Sequence, residues 1–197
     1  MKLLTALKTL QNAGAPVMST RDIACLLGVS NEMASQMLRR LAQEKHIVHL
    51  ARSLWVLDLK VNPLLLPGYL VAPFPCYVSL QTALYLHDMI DQIPRIITVV
   101  SPARTRTIQT PLATIYVHHV EPEFFFGFDF DLKTGVKMAT PEKALLDIYY
   151  LKKRLPELEL PKSFNFKKAF AMIRKIPSQA RRTILEKALK TIMTTQI

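Results

Sequence analysis

The side chains best placed for chemistry in this sequence are amides and guanidiniums rather than nucleophiles. Residues 29–57, VSNEMASQMLRRLAQEKHIVHLARSLWVL, carry Asn31, Glu32, Ser35, Gln36, Arg39 and Arg40 between a tight turn and an apolar, strand-like run. Asn31, Ser35 and Gln36 hold the donors and acceptors that read base edges, and glutamine in particular matches adenine in the major groove. Arg39 and Arg40 suit phosphates or the flanks of a groove. Arg52 falls at the tip of an expected hairpin, placed for a minor groove or a backbone. Arg21, near the start of a preceding helix, is placed to meet a phosphate. Glu32 runs against the pattern, because a carboxylate in a groove repels phosphate unless it accepts from cytosine. A second basic group, Lys167, Lys168, Arg174, Lys175, Arg181 and Arg182, lies near the C-terminal end. It suits a DNA-facing surface, or simply the solvated face of amphipathic helices.

These residues need a frame. Leu3, Leu4, Leu7 and Leu10 recur on one helical face within residues 2–13, and Gly14-Ala15-Pro16 ends that helix. Ser19 or Thr20 caps a second helix over about 20–27, with Ile23, Ala24, Leu26 and Leu27 mostly inward. Gly28 makes the turn, since a left-handed backbone costs glycine least. Ser30 caps a third helix running to about Lys45, with Ala34, Leu38 and Leu41 on one face. HIVHL and LWVL then read as two short strands around Ala51-Arg52-Ser53. Helix, helix, turn, helix, hairpin is the order of a winged helix-turn-helix domain, assigned to residues 1–60. A proline-rich connector, VNPLLLPGYLVAPFPC, spans 61–76, because proline neither continues a helix nor donates into a central strand.

Residues 77–197 read as a mixed α/β domain, which makes the whole chain α+β with basic terminal helices. SLQTALYLHDM is a helix capped by Ser79. Arg95 to Val100 and Ala113 to Val120 are strands, and the aromatic stretch Glu123 to Phe130 is strand or loop. TPEKALLDIYYLKKRL is a helix capped by Thr140, with Pro141 at its first position and Glu142 near its positive end. Two more basic helices cover about 165–175 and 178–194.

The chain has 197 residues, half of them hydrophobic, so a packed core is within reach; the net charge is +11 and the pI about 9.8. The excess sits at the ends: residues 1–60 carry net +4, residues 61–150 net −2 and residues 151–197 net +9. That distribution suits a polyanionic partner. Cys25 and Cys76 both lie in apolar contexts outside any C-x-x-C pair, the pattern of buried, reduced thiols in a cytoplasmic protein. No segment approaches the length of apolar chain that spans a bilayer, and MKLLTALKTLQNAG reads as an amphipathic helix rather than a signal peptide. A membrane partner is not expected.

Enzymatic patterns are thin. Asp131-Leu132-Lys133 matches half of a metal-dependent nuclease site, for which Glu121 or Asp129 would supply the second carboxylate; Gly135 follows at once, as in a charged turn. His118 and His119 on one strand point to opposite faces and do not share a metal. Thr140-Pro141-Glu142-Lys143 is accounted for by helix capping. Phe124, Phe125, Phe126, Phe128 and Phe130 could stack on bases, but at that density they suit a core or an interface better. There is no Gly-rich phosphate loop and no G-x-S-x-G. No metal, cofactor or catalytic residue is expected.

YVSLQTALYLHDMID, IPRIITVVSPARTRTI and VKMATPEKALLDIYYL, in this order behind the N-terminal helices, resemble AbiEi-type antitoxins of bacterial abortive-infection, type IV toxin–antitoxin systems. The resemblance covers about residues 1–160 and is carried most by Tyr77–His87 and Ala139–Leu151. It implies a transcriptional repressor that binds inverted repeats in double-stranded DNA of its own promoter. It also implies a functional partner, a nucleotidyltransferase-like toxin that is countered without a stable complex. Both domains of such antitoxins contribute to DNA binding, the second through a basic surface.

Overall fold

Leu7 and Leu10 on α1 (Leu3–Asn12) cannot be left in water, and their burial organises the N-terminal part of the chain. In this computed structural model, which describes residues 3–152 and 157–195, they join Ile23 of α2 (Thr20–Leu27) and Leu38 and Leu41 of α3 (Asn31–Gln43). Ile47, Trp55 and Leu57 close that cluster. Truncating a fully buried leucine such as Leu38 would cost about 2–5 kcal/mol. Gly28 ends α2 at φ 64°, where its amide reaches back to the last turn of the helix. Ser19 caps α2 by accepting from the Asp22 amide, and Ser30 caps α3 by accepting from the Met33 amide.

Three short strands complete this unit. β2 (Val48–Ala51) and β3 (Leu54–Val56) form the expected hairpin, and β1 (Val17–Ser19) adds antiparallel to the far side of β3, giving the order β1-β3-β2. β1 was invisible in the sequence because three residues carry no usable period. The register slips between His49 and Ala51, a bulge just before the turn.

By contact density the chain divides into two units, Met1–Leu70 with Gln109–Ala113, and Val71–Ile108 with Thr114–Ile197. The division falls inside the expected connector. Its first half is a 3-10 turn at Pro63–Leu65 followed by α4 (Leu66–Leu70), and Val61 and Leu66 are buried against Val17, Leu50 and Val56.

The second unit holds a six-stranded mixed sheet. Its strands are β4 (Tyr77–Val78), β5 (Ile97–Ser101), β6 (Arg106–Gln109), β7 (Thr114–His119), β8 (Phe128–Phe130) and β9 (Lys137–Ala139), in the order β6-β7-β5-β4-β9-β8. β5 pairs parallel with β7, and β4 pairs parallel with β9 but antiparallel with β5. The helices are α5 (Leu80–Leu86), α6 (Pro141–Lys152), α7 (Phe166–Arg174) and α8 (Gln179–Thr195). One buried cluster runs from Leu80 and Leu84 through Leu145 and Ile148 to Ile173 and Leu189. The chain is thus α+β. No helix of the described residues is long and apolar enough to cross a membrane.

Several local expectations need correcting. Leu26 is exposed rather than inward, and Cys25 beside it is exposed too; an eight-residue helix buries one narrow stripe, here Ile23 and Ala24. Cys76 is buried, and burial pushes its thiol up to about 11. Ser79 sits at the start of α5 but makes no side-chain cap, because its hydroxyl is drawn to Asp147. Of the aromatic run, Phe124 is buried while Phe130 is 53% exposed. Lys153 and Arg154, expected in the helix beginning at Thr140, lie outside the described residues.

Candidate nucleic-acid interface

Burial of Ala34, Met37, Leu38 and Leu41 fixes the roll of α3. At about 100° per residue, Asn31, Glu32, Gln36, Arg39 and Arg40 must then face outward, and all five are exposed, with Ser35 half-buried at the edge. No ion pair or side-chain hydrogen bond to another described residue engages Gln36, Arg39, Arg40 or Arg21. Glu32 is different. Its own backbone amide, then the Ser30 hydroxyl, hold its carboxyl below the usual range. It lies in the first turn of α3, where a negative charge complements the helix dipole. Capping accounts for its place in the sequence, while its exposed, ionised carboxylate still opposes phosphate at this end of α3.

Beside α3 runs a groove of about 740 Å³. Asn31, Ser35, Arg39 and Gln43 line it from α3, Thr20 and Arg21 from α2, and His49, Ser53 and Trp55 from the hairpin. Its far wall is fastened: the Thr20 amide donates to the Ser53 carbonyl at 2.8 Å, and Trp55 Nε1 donates to Thr20 Oγ1 at 2.9 Å. These bonds tie the β2–β3 turn to the start of α2, so the backbone that carries Arg21 and the hairpin keep a set relation. Of the residues singled out in the sequence, Arg21, Asn31, Ser35 and Arg39 line this one groove. Gln36 and Arg40 stand on the outer side of α3, and Arg52 is exposed at the turn. Gln43, His49 and Trp55 were missed; Gln43 follows Arg39 by one turn on α3, and alternation of side chains across the short hairpin was the signal for His49 and Trp55.

No protein-family model matches this chain, and no curated protein matches it.

The C-terminal basic residues, all in the second unit, are not equivalent. Lys167, Arg174 and Lys175 are exposed on and just beyond α7. Lys168 pairs with Glu142 at 3.2 Å, and the Glu142 side chain is almost fully buried. Burial alone would raise the Glu142 carboxyl. Bonds from Thr140, its own amide, the Asn165 amide and Lys168 outweigh that, and it ends below the usual range. Arg181 lies over the Tyr150 ring at 4.8 Å and donates to its hydroxyl. Arg182 is half-buried and donates to Gln179 Oε1 at 2.5 Å.

The T-P-E-K stretch holds more than a cap. The Lys143 amide does approach Thr140 Oγ1 at 3.4 Å, as capping requires. Lys143 itself, however, is 0% exposed. Its Nζ donates to Asp147 Oδ1 at 2.5 Å and to the Phe124 carbonyl at 2.9 Å, and lies 3.4 Å from the centre of the Phe124 ring. Asp147 Oδ2 accepts from the Tyr77 hydroxyl at 3.0 Å and from Ser79 at 2.6 Å. Burial dominates both groups, lowering Lys143 and raising Asp147, and each partly offsets that shift in the other. A Cβ on Gly127 would fall 3.1 Å from the Lys143 stem, and its φ of +77° favours glycine independently. The network joins Tyr77–Ser79 to Lys143–Asp147, within the two stretches that carried the resemblance.

The remaining chemical candidates are not assembled into a centre. Asp131 builds a turn: its carboxylate accepts from the Lys133 amide at 2.8 Å and the Thr134 hydroxyl at 2.7 Å, and these bonds lower its carboxyl. His119 Nδ1 lies 3.0 Å from the Pro102 carbonyl. Among the described residues, no three His, Cys, Asp or Glu side chains are grouped to hold a metal ion.

Proposed function

We propose that the chain is a sequence-specific, double-stranded-DNA-binding repressor whose first unit is a winged helix-turn-helix domain. In this reading it acts in the cytoplasm as the antitoxin of a type IV toxin–antitoxin system, silencing its own promoter at inverted repeats. One observation carries the DNA reading. The outward side of α3 is polar, and it borders a groove lined by two guanidiniums, Arg21 and Arg39, without an ion pair or side-chain hydrogen bond among the described residues. Groups of this kind bind phosphate by releasing counterions, and amides beside them supply base contacts. The element order α1-β1-α2-α3-β2-β3 with a β1-β3-β2 sheet supports the winged-helix assignment. The resemblance of Tyr77–His87 and Ala139–Leu151 supports the antitoxin role.

The test is fluorescence anisotropy on the protein's own promoter and on a scrambled duplex across a salt series. Tighter binding to the promoter, falling steeply with salt on both duplexes, is the expected result. Equal affinity for both would remove the sequence-specific role.

A second reading has its own observation. In the turn built by Asp131, Leu132 is 88% exposed, next to exposed Phe130 and Asp129. A rigid turn displaying apolar and acidic side chains suits a protein-binding module that grips the nucleotidyltransferase-like toxin directly. Co-purification of the two proteins, lost in Leu132→Asp, would favour it.

A further inference from the structure

We propose that His49 is a proton-carrying phosphate ligand: the groove between α3 and the β2–β3 hairpin seats a phosphodiester strand, and His49 joins Arg21 and Arg39 in neutralising it. The inference rests on the DNA-binding reading above and adds to it a residue and a linked proton.

The position of His49 is built. It stands directly across from Trp55 in the β2–β3 pair, so both side chains leave the same face. The rings lie 4.5 Å apart between centroids, at 46°. Trp55 is itself fixed by its bond to Thr20, so the imidazole rests on an anchored surface while remaining exposed in the groove. The charged groups that face it are Arg21 from α2 and Arg39 from α3, with Arg52 adjoining in the turn. No carboxylate lines the groove. The nearby acids are engaged elsewhere: Asp22 accepts from the Ser19 hydroxyl at 2.7 Å, Glu32 is held at the start of α3, and Glu44 pairs with His46.

This arrangement sets the sign of a linkage. In the free protein a proton on His49 faces cations and no anion. A phosphate in the groove reverses that field and favours the imidazolium. Histidine is the side chain that most readily exchanges a proton near neutrality, so a phosphate seated beside the imidazole links binding to proton uptake, and binding tightens as pH falls. One linked proton allows at most about a tenfold change in affinity per pH unit. A phosphate carries no sequence information, so the effect must appear on any duplex.

The experiment is anisotropy at constant ionic strength from pH 5.5 to 8 on the promoter and the scrambled duplex. It compares the native protein with His49→Gln, His49→Lys and, as a control outside the groove, His46→Gln. The native protein and His46→Gln should bind both duplexes several-fold more tightly at the acid end. His49→Gln, whatever its affinity at pH 8, should gain little as the pH falls. His49→Lys, permanently charged, should bind at pH 8 as the native protein does at pH 5.5. A pH slope that survives in His49→Gln, or no slope in the native protein, overturns the proposal while leaving the DNA reading intact. Absence of binding to either duplex at every pH overturns both.

Discussion

The groove beside α3 and the network around Lys143 are both rich in polar groups, yet they treat charge in opposite ways. At Lys143 every charge has a partner inside the protein: ammonium against carboxylate, with two hydroxyls and a carbonyl completing the shell. Beside α3, Arg21 and Arg39 have no ion pair or side-chain hydrogen bond among the described residues, and neither does Gln36. A closed set of charges holds structure together and has nothing left for a ligand. An open set contributes little to the fold, and its chemistry is directed outward. The net +11 therefore says less than the separation of bound from unbound cations.

The sharpest way to break the comparison is to open the closed site. Asp147→Ala strands a buried ammonium and two hydroxyls, and should destabilise the second unit by about 3–5 kcal/mol. Urea denaturation gives the value. The double replacement Lys143→Met with Asp147→Leu should recover part of that loss, because removing both charges also removes the cost of burying them. If Asp147→Ala costs less than about 1 kcal/mol, the network is not what fixes Tyr77, Ser79 and α6 together.

The same contrast explains what the sequence made legible. The open site was readable because its signals are local: Gly28 and Ser30 mark the ends of neighbouring helices, and Ala34, Leu38 and Leu41 fix the roll of α3 within three turns. Asn31, Ser35 and Arg39 followed from that roll, and Arg21 from its place in the first turn of α2. The closed site was not readable. Lys143 and Asp147 stand four residues apart like any surface pair, and only Tyr77 and Ser79, about seventy positions earlier, show that they are buried. His49 and Trp55 meet across a hairpin, and β1 exists only through pairing with β3, far along the chain.

Removing an open group should leave the fold intact and change binding instead. Gln36→Ala should cost about 1–3 kcal/mol on the promoter duplex and much less on a scrambled one. Equal losses would withdraw its base-reading role. Arg39→Ala should weaken both duplexes alike and reduce the salt slope by about one unit, the signature of one lost phosphate contact. Neither variant should move the thermal midpoint by more than a degree or two. A large shift would place these side chains among the structural groups.

The C-terminal basic residues bring the two kinds of charge side by side, and the smallest effects test the distinction most finely. Lys167 is open and Lys168 is closed on Glu142, one residue apart on the same helix. Lys167→Gln should leave stability alone; if α7 faces DNA, it also flattens the salt slope slightly. Lys168→Gln should cost stability, by a few tenths to about 1 kcal/mol given its half-exposed end. The Glu142 carboxyl is lowered in the folded protein from its ordinary value of 4.5, so the fold favours its charged form. Its contribution is fully present above that value and is lost as pH falls through the lower, folded value. Glu142→Gln should therefore be less stable than the native protein at neutral pH, and the gap should narrow progressively as pH falls below about 4.5. Urea midpoints at pH 7 and pH 3.5 measure it. A gap that persists in acid would mean that Glu142 holds the start of α7 through the shape of its side chain rather than through its charge.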